Sequence, residues 1–202
     1  MDKKLPIYRA TIDDTDNTGM FVVSLVDEPA VDVNFFAFDK QEEQLEFAIQ
    51  DEEQRMVLGV VMRPNYPMYR RFKDIECYVE YTPETIHLMA EKFFATMNVN
   101  SVDTDHSWEL VDGVTLVQAF FKDTEKGIDP KGFEDMPNDT LFFQYHITSD
   151  EIWQGVKEGK WHGFSLAGAF NVEPIEAKKE EPKDDVLGDI QSLLEKINNK
   201  LR

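Results

Sequence analysis

Short apolar runs, each ended by turn-forming residues, constrain this chain more than any other feature. Residues 20–26 read M-F-V-V-S-L-V and Met56–Met62 read M-V-L-G-V-V-M. Both are almost continuous in apolar and β-branched residues, the pattern of a strand covered on both faces. The first is stopped by D-E-P-A and the second by R-P-N-Y-P, because proline has no N–H to give to a ladder. Residues 5–12, Val114–Phe121 and residues 140–147 read as further strands. In Ile75–Tyr81 the alternation is clean, with Ile75, Cys77, Val79 and Tyr81 on one side and Glu76, Tyr78 and Glu80 on the other. Phe35, Phe36 and Phe38 are expected to close one end of the core. The acidic segment from Asp39 to Glu53 reads as a loop or short insertion.

Two helices interrupt the strands. Thr82 followed by Pro83 places a hydroxyl at the N-cap and proline at the first helical position, with Glu84 near the positive helix end. Ile86, Met89, Ala90, Phe93, Phe94 and Met97 recur at helical spacing and predict one buried stripe to about Met97, leaving His87 on the surface. Thr148 and Glu151 have capping-box spacing for a short helix through Lys157, stopped at Gly159. The long polar stretch 122–139 is expected to be functional or mobile, since such loops are uncommon in compact domains.

Residues 161–170, W-H-G-F-S-L-A-G-A-F, set one serine inside an apolar strand. Period-two alternation puts Phe164 and Leu166 on one face and Ser165 with Gly163 and Ala167 on the other. Such small neighbours leave room for a peptide to approach a nucleophilic hydroxyl. The plainer alternative is a buried serine bonded to a nearby carbonyl, with Gly163 and Gly168 easing a bulge. A second polar constellation surrounds His106, which has Asp103, Asp105, Ser107, Glu109 and Asp112 about it. An imidazole there can accept a serine proton near neutral pH while a carboxylate orients the ring. A calcium loop over 103–112 is the competing reading. It lacks the required glycine, where Trp108 stands, and the bidentate glutamate, where Val114 stands.

Charge and cysteine content narrow the function classes. The chain has 40 acidic against 21 basic residues, a formal net charge of −19, and no Lys/Arg cluster of the kind that binds a polyanion, so nucleic acid is not expected as a partner. The lone Cys77 excludes an intramolecular disulfide and a thiolate zinc site, and its place in an alternating strand makes it core rather than nucleophile. No cofactor and no metal is expected. Nor is any apolar run long enough for a membrane span, and a cytosolic, soluble protein is expected. Residues 175–185 read as an acidic linker. Beyond it, Leu187, Ile190, Leu194, Ile197 and Leu201 form a coiled-coil-type seam over 186–202 that needs a partner helix.

These segments together resemble the tailed-phage prohead maturation proteases of the XkdF-like type, relatives of the herpesvirus assemblin fold. V-L-G-V-V-M-R-P-N-Y-P-M-Y-R-R is similar to that family's opening strand and turn, and Y-V-E-Y-T-P-E-T-I with M-A-E-K-F-F to its strand and helix. The approach to D-H-S is similar to the segment bearing the family's histidine, and D-E-I-W-Q-G-V-K-E-G-K-W-H-G-F-S-L-A-G to its helix and nucleophile strand. F-V-V-S-L-V-D-E-P-A resembles a strand that follows the nucleophile in other prohead proteases, which implies a circularly rearranged order. Where those relatives carry an acid just before S-L-V, Val22 and Val23 stand here, and the G-T-W strand is altered to D-T-L-F-F.

The resemblance implies Ser165 as nucleophile and His106 as base, with Asp27, Glu28, Asp105, Glu173, His146 and His162 as candidates for the third member. It implies an α+β fold with a mostly antiparallel, barrel-like β-rich sheet and a few packed helices, in a protease-like domain over 1–174. The expected activity is a serine endopeptidase acting on phage scaffold and major capsid proteins inside assembling proheads in the bacterial host cytoplasm. Residues 186–202 are expected to make a homo-oligomer or to dock on scaffold. A catalytically inactive, structural or scaffold-associated head protein on the same fold is the alternative.

Overall fold

Strand formation follows the apolar runs closely. The computed structural model describes residues 5–13, 18–27, 48–72 and 75–175. In chain order its elements are β1 (Ile7–Thr11), β2 (Gly19–Val26), β3 (Ala48–Asp51), β4 (Met56–Met62), β5 (Met68–Phe72), β6 (Ile75–Tyr81), α1 (Pro83–Ala95), β7 (Val102–Thr104), β8 (Val114–Phe121), β9 (Leu141–Ile147), α2 (Asp150–Lys157), β10 (Gly163–Ala169) and β11 (Asn171–Pro174).

The strands form three sheets, ordered β11-β1-β6-β5, β10-β2-β7 and β3-β4-β9-β8. Pairing is mostly antiparallel, with β1–β6 and β2–β7 the parallel exceptions. The architecture is therefore α+β and β-rich, as expected. A barrel-like sheet is not what forms: among the described residues the ladder is divided among three sheets and does not close. The division falls where pairing is brief, since β7 has three residues and β10 is bonded to β2 alone.

Both faces of β2 and β4 are covered, with Val23, Leu25, Val57 and Met62 wholly buried. Aromatic rings fill the space around β9, where Phe143 stacks near Phe93 and Tyr145 meets Phe164 of β10 edge to face. That last contact seats the β10 strand on the main core. Cys77 is fully buried, and burial pushes its thiol up to about 11, so it carries almost no thiolate at neutral pH.

Helix α1 begins as the capping rule requires, with Thr82 Oγ1 accepting from the Thr85 N–H at 3.2 Å and Pro83 in the first turn. Its buried stripe is Ile86, Met89, Ala90 and Phe93. The stripe is narrower and shorter than expected: Phe94 is 40% exposed, and because the helix ends at Ala95, Met97, with φ of 57°, turns out to solvent. His87 is on the surface as expected, 2.9 Å from Asp139 and stacked on Phe121. Helix α2 is capped one residue later than its sequence suggests. Ser149 Oγ accepts from the Ile152 N–H, while Thr148 Oγ1 donates to the Gly113 carbonyl. Gly159 ends the turn with φ of 71°.

Three further differences are local. Part of the acidic segment is strand, for β3 pairs with β4 through a tight turn that puts Arg55 at φ of 54°. Strands β5 and β11, not anticipated, pair with β6 and β1. The polar stretch 122–139 is organised around a lysine: Lys122 is 2% exposed and its Nζ donates to the Phe133 and Glu134 carbonyls at 2.9 and 2.7 Å and pairs with Asp129 at 2.8 Å. A buried ammonium needs such partners, and it finds them in the loop it fixes. Phe35, Phe36, Phe38, most of the linker 175–185 and the seam 186–202 lie outside the described residues.

Candidate active site

The sheet β10-β2-β7 carries an unusual row of polar side chains. Ser165 on β10 is the direct antiparallel partner of Ser24 on β2, and Ser24 is the parallel partner of Asp103 on β7. Directly paired residues share a sheet face, so the three stand side by side at strand spacing, about 4.8 Å apart. All three are buried, with Ser24 and Asp103 at 0% and Ser165 at 2% exposure. Ser24 and Ser165 are each the polar exception in an apolar strand.

His106 arches over this row from the end of β7. Its Nε2 lies 3.0 Å from Ser165 Oγ and its Nδ1 2.9 Å from Ser24 Oγ. The imidazole thus spans the two serines, one at each ring nitrogen. With the proton on Nδ1, the ring donates to Ser24 and leaves Nε2 to accept from the Ser165 hydroxyl.

The loop that places the ring is strained. Asp105, His106 and Trp108 take φ of 52°, 55° and 63°, a left-handed conformation that costs non-glycine residues about 1–3 kcal/mol each. Fixed contacts hold it. Asp105 N–H donates to the Leu25 carbonyl at 3.0 Å, Asp105 Oδ2 accepts from Trp161 Nε1 at 2.9 Å, and Asp103 Oδ2 accepts from the Trp108 N–H at 2.8 Å. Trp161 is itself wedged against α2, where only a residue without a Cβ fits at Gly155. The loop is therefore pinned on both sides of His106.

Part of His106 is open to solvent, yet enclosure of its ring is the largest effect on its titration and lowers its pKa; the Asp103 charge opposes this, Arg70 adds to it, and Asp105 again opposes. A neutral imidazole at physiological pH is what a proton acceptor needs.

The expected pair, Ser165 and His106, is brought within hydrogen-bond distance. The candidates for a third member fare differently, because both ring nitrogens of His106 are already taken by serines. Asp105 serves Trp161. Asp27 and His162 face each other at 3.7 Å, and His162 Nδ1 donates to the Gly159 carbonyl at 3.2 Å. Glu173 lies on β11 opposite Arg9, and His146 on β9 opposite Thr115 and Met56, each in a different sheet from Ser165. Glu28 lies outside the described residues. The group at Nδ1 is Ser24, which the sequence reading missed. Its signal was there: it is the one polar side chain in M-F-V-V-S-L-V, as Ser165 is in its own strand.

Asp103 and Asp105, which a calcium loop would turn toward one ion, are engaged with different donors. Among the described residues no group of three or more His, Cys, Asp or Glu is gathered closely enough to hold a metal ion.

A serine hydroxyl bonded to an imidazole that is oriented from its far nitrogen is the arrangement of a serine-nucleophile hydrolase site. The comparisons with known proteins agree at that level. The sequence model of the family described as "Putative phage serine protease XkdF" matches residues 44–174, and the chain belongs to that family. His106 and Ser165 fall inside the matched segment and Ser24 before it. Among curated proteins, the "Phage-like element PBSX protein XkdF" of Bacillus subtilis (strain 168) is 28% identical over 182 residues, covering 79% of this chain and 57% of that relative. The chain thus spans little more than half the relative's length. No solved structure matches. No helix among the described residues is long and apolar enough to cross a membrane.

Proposed function

We propose that this chain is a serine endopeptidase with Ser165 as nucleophile and His106 as general base, and that its substrates are the scaffold and major capsid proteins of an assembling phage head. The observation that carries the chemistry is the 3.0 Å contact between His106 Nε2 and Ser165 Oγ, with the far nitrogen held at 2.9 Å by Ser24. Ser165 Oγ attacks the scissile carbonyl as Nε2 takes its proton. The imidazolium then protonates the leaving amine, and water, deprotonated by the same nitrogen, hydrolyses the acyl-enzyme. The substrate class rests on the resemblance to prohead proteases and on the phage-like name of the relative. Assembly of copies through residues 186–202, or docking of that segment on scaffold, would raise the local concentration of protease at its substrate.

A non-turning-over head protein on the same fold is the second reading. It is favoured by one feature: a hydroxyl stands at Nδ1 where a triad has a carboxylate or a second imidazole. An active-site fluorophosphonate probe separates the two. The protease reading expects covalent labelling mapped to Ser165 by peptide mass spectrometry, abolished in Ser165→Ala and in His106→Ala. It also expects new termini on head proteins co-expressed with the wild type and none with Ser165→Ala. Absence of both in folded wild-type protein would establish the structural role instead.

A further inference from the structure

We infer that Asp103 is the acidic positioning residue of this site, acting on His106 across the Ser24 hydroxyl and so selecting which ring nitrogen carries the proton. The inference rests on Ser165 and His106 being the reacting pair, and adds a residue that the triad candidates do not include.

A serine at Nδ1 leaves a problem that a carboxylate would not. A hydroxyl both donates and accepts, so Ser24 alone is satisfied by either tautomer of His106, whereas a carboxylate only accepts. In the wrong tautomer Nε2 carries the proton and cannot take one from Ser165. Something must commit the Ser24 proton elsewhere.

Asp103 is placed to do this. It is the ladder partner of Ser24, it is 0% exposed, and its two oxygens are treated unequally. Oδ2 accepts from the Trp108 N–H, while Oδ1 is buried and accepts no hydrogen bond among the described residues. A buried carboxylate oxygen left without a donor is costly, and the hydroxyl of its ladder partner Ser24 reaches it through one bridging water or a small side-chain rotation. Once the Ser24 proton points to Oδ1, the Ser24 lone pairs face Nδ1, which must then be the protonated nitrogen. Asp103 also supplies negative charge as the imidazolium forms. The other charges acting on the ring are Asp105, which reinforces it, and Arg70, which opposes it. The same carboxylate ties down the strained loop through Trp108, so tautomer and ring position are set together.

The test reads the tautomer in the resting protein and the chemistry separately. Full-length protein with ¹⁵N-labelled histidine is examined by NMR above the His106 titration, and the fluorophosphonate labelling rate at Ser165 is measured across pH. Wild type is expected as the Nδ1–H tautomer. Asp103→Asn can donate to Ser24 and is expected to shift His106 toward Nε2–H, slow labelling by about 10–100-fold, and move the acidic limb of the rate profile to lower pH, because the imidazolium loses a nearby anion. Ser24→Ala, which removes one hydroxyl, is expected to give a mixture of tautomers and keeps the test available if Asp103→Asn does not fold. An Nε2–H tautomer in wild type, or an unchanged tautomer in the folded variants, overturns the role of Asp103. Absence of labelling in wild type with the expected tautomer instead overturns the protease reading, and Asp103 then sets the tautomer of a ring that does no chemistry.

Discussion

Ser24 and Ser165 are direct cross-strand partners, and His106 bonds both of them at once. The distance between paired residues in an antiparallel ladder is fixed by the backbone, so the separation of the two hydroxyls is set by β2–β10 pairing and not by loop conformation. An imidazole with a hydrogen bond at each nitrogen spans that gap. The site therefore uses the sheet as its ruler, and only the histidine comes from a loop.

Replacing Ser24 by alanine tests that ruler. The change removes the acceptor for Nδ1–H and leaves the strand apolar, so the fold is expected to persist. A hydrogen bond to a group that becomes charged is worth about 1.5–3 kcal/mol. Ser165 labelling by a fluorophosphonate is accordingly expected to slow by about 10–100-fold, with the far-ultraviolet circular dichroism unchanged. A wild-type labelling rate would show that Ser24 is only a buried filler.

The pH profile follows from the enclosure of His106. Burial disfavours its charged form, so the folded pKa lies below the ordinary histidine value. Nε2 is then free to accept a proton down to a pH below that value, and the acidic limb of labelling is expected there. Linkage has the same sign. The unfolded chain takes up a proton more readily at this residue, so its contribution to stability is intact above the ordinary histidine value and falls as pH drops toward the folded one. Labelling rate of the wild type, and the urea midpoints of wild type and His106→Ala over the same pH range, check both; an acidic limb at or above the ordinary value contradicts the expectation.

How much of this was legible in the sequence depended on how local the signal was. The runs at Met56–Met62 and Val114–Phe121 and the Thr82-Pro83 cap gave their elements directly, since each is decided within a few residues. Strands β5 and β11 were hidden because each is short: β11 becomes a strand by pairing with β1, distant in sequence, and β5, with two arginines in five residues, by pairing with the neighbouring β6. Lys122 looked like the start of a mobile loop, and only three-dimensional closure turns it into the loop's anchor. Ser165 and His106 were readable as chemistry-bearing residues, whereas Ser24 stood out only as the lone polar side chain of its run. What makes Ser24 part of the site is its register against Ser165, which no local pattern encodes.

Gly168 marks where that register is protected. The β10–β2 ladder shifts at Ala167 and Gly168, and a Cβ on Gly168 would fall on the Gly19 carbonyl oxygen and press on Met20 Cα. Both are backbone atoms and cannot rotate away. Gly168→Ala is expected to cost about 1–3 kcal/mol, as overpacking does, and to slow Ser165 labelling because the strand three residues from the nucleophile must move. Urea denaturation and labelling of the folded fraction read the two effects; no loss of stability would mean that the bulge relaxes without strain.

Asp105 offers the sharpest separation between two roles for one carboxylate. If it were the acid of the site, the amide of Asp105→Asn would remove the charge and collapse activity. Its Oδ2 instead accepts from Trp161 Nε1 at 2.9 Å, and an asparagine side-chain oxygen accepts that bond equally well. Asp105→Asn is therefore expected to keep labelling within about threefold of wild type, since the charge itself acts on His106 less than that of Asp103. Asp105→Ala, which leaves the indole N–H without its acceptor and unpins a loop held at positive φ, is expected to slow labelling by about tenfold or more. Trp161→Phe, with the acceptor kept and the donor removed, should match the alanine variant. Equal and severe loss in Asp105→Asn and Asp105→Ala would restore Asp105 as the charge that drives the histidine.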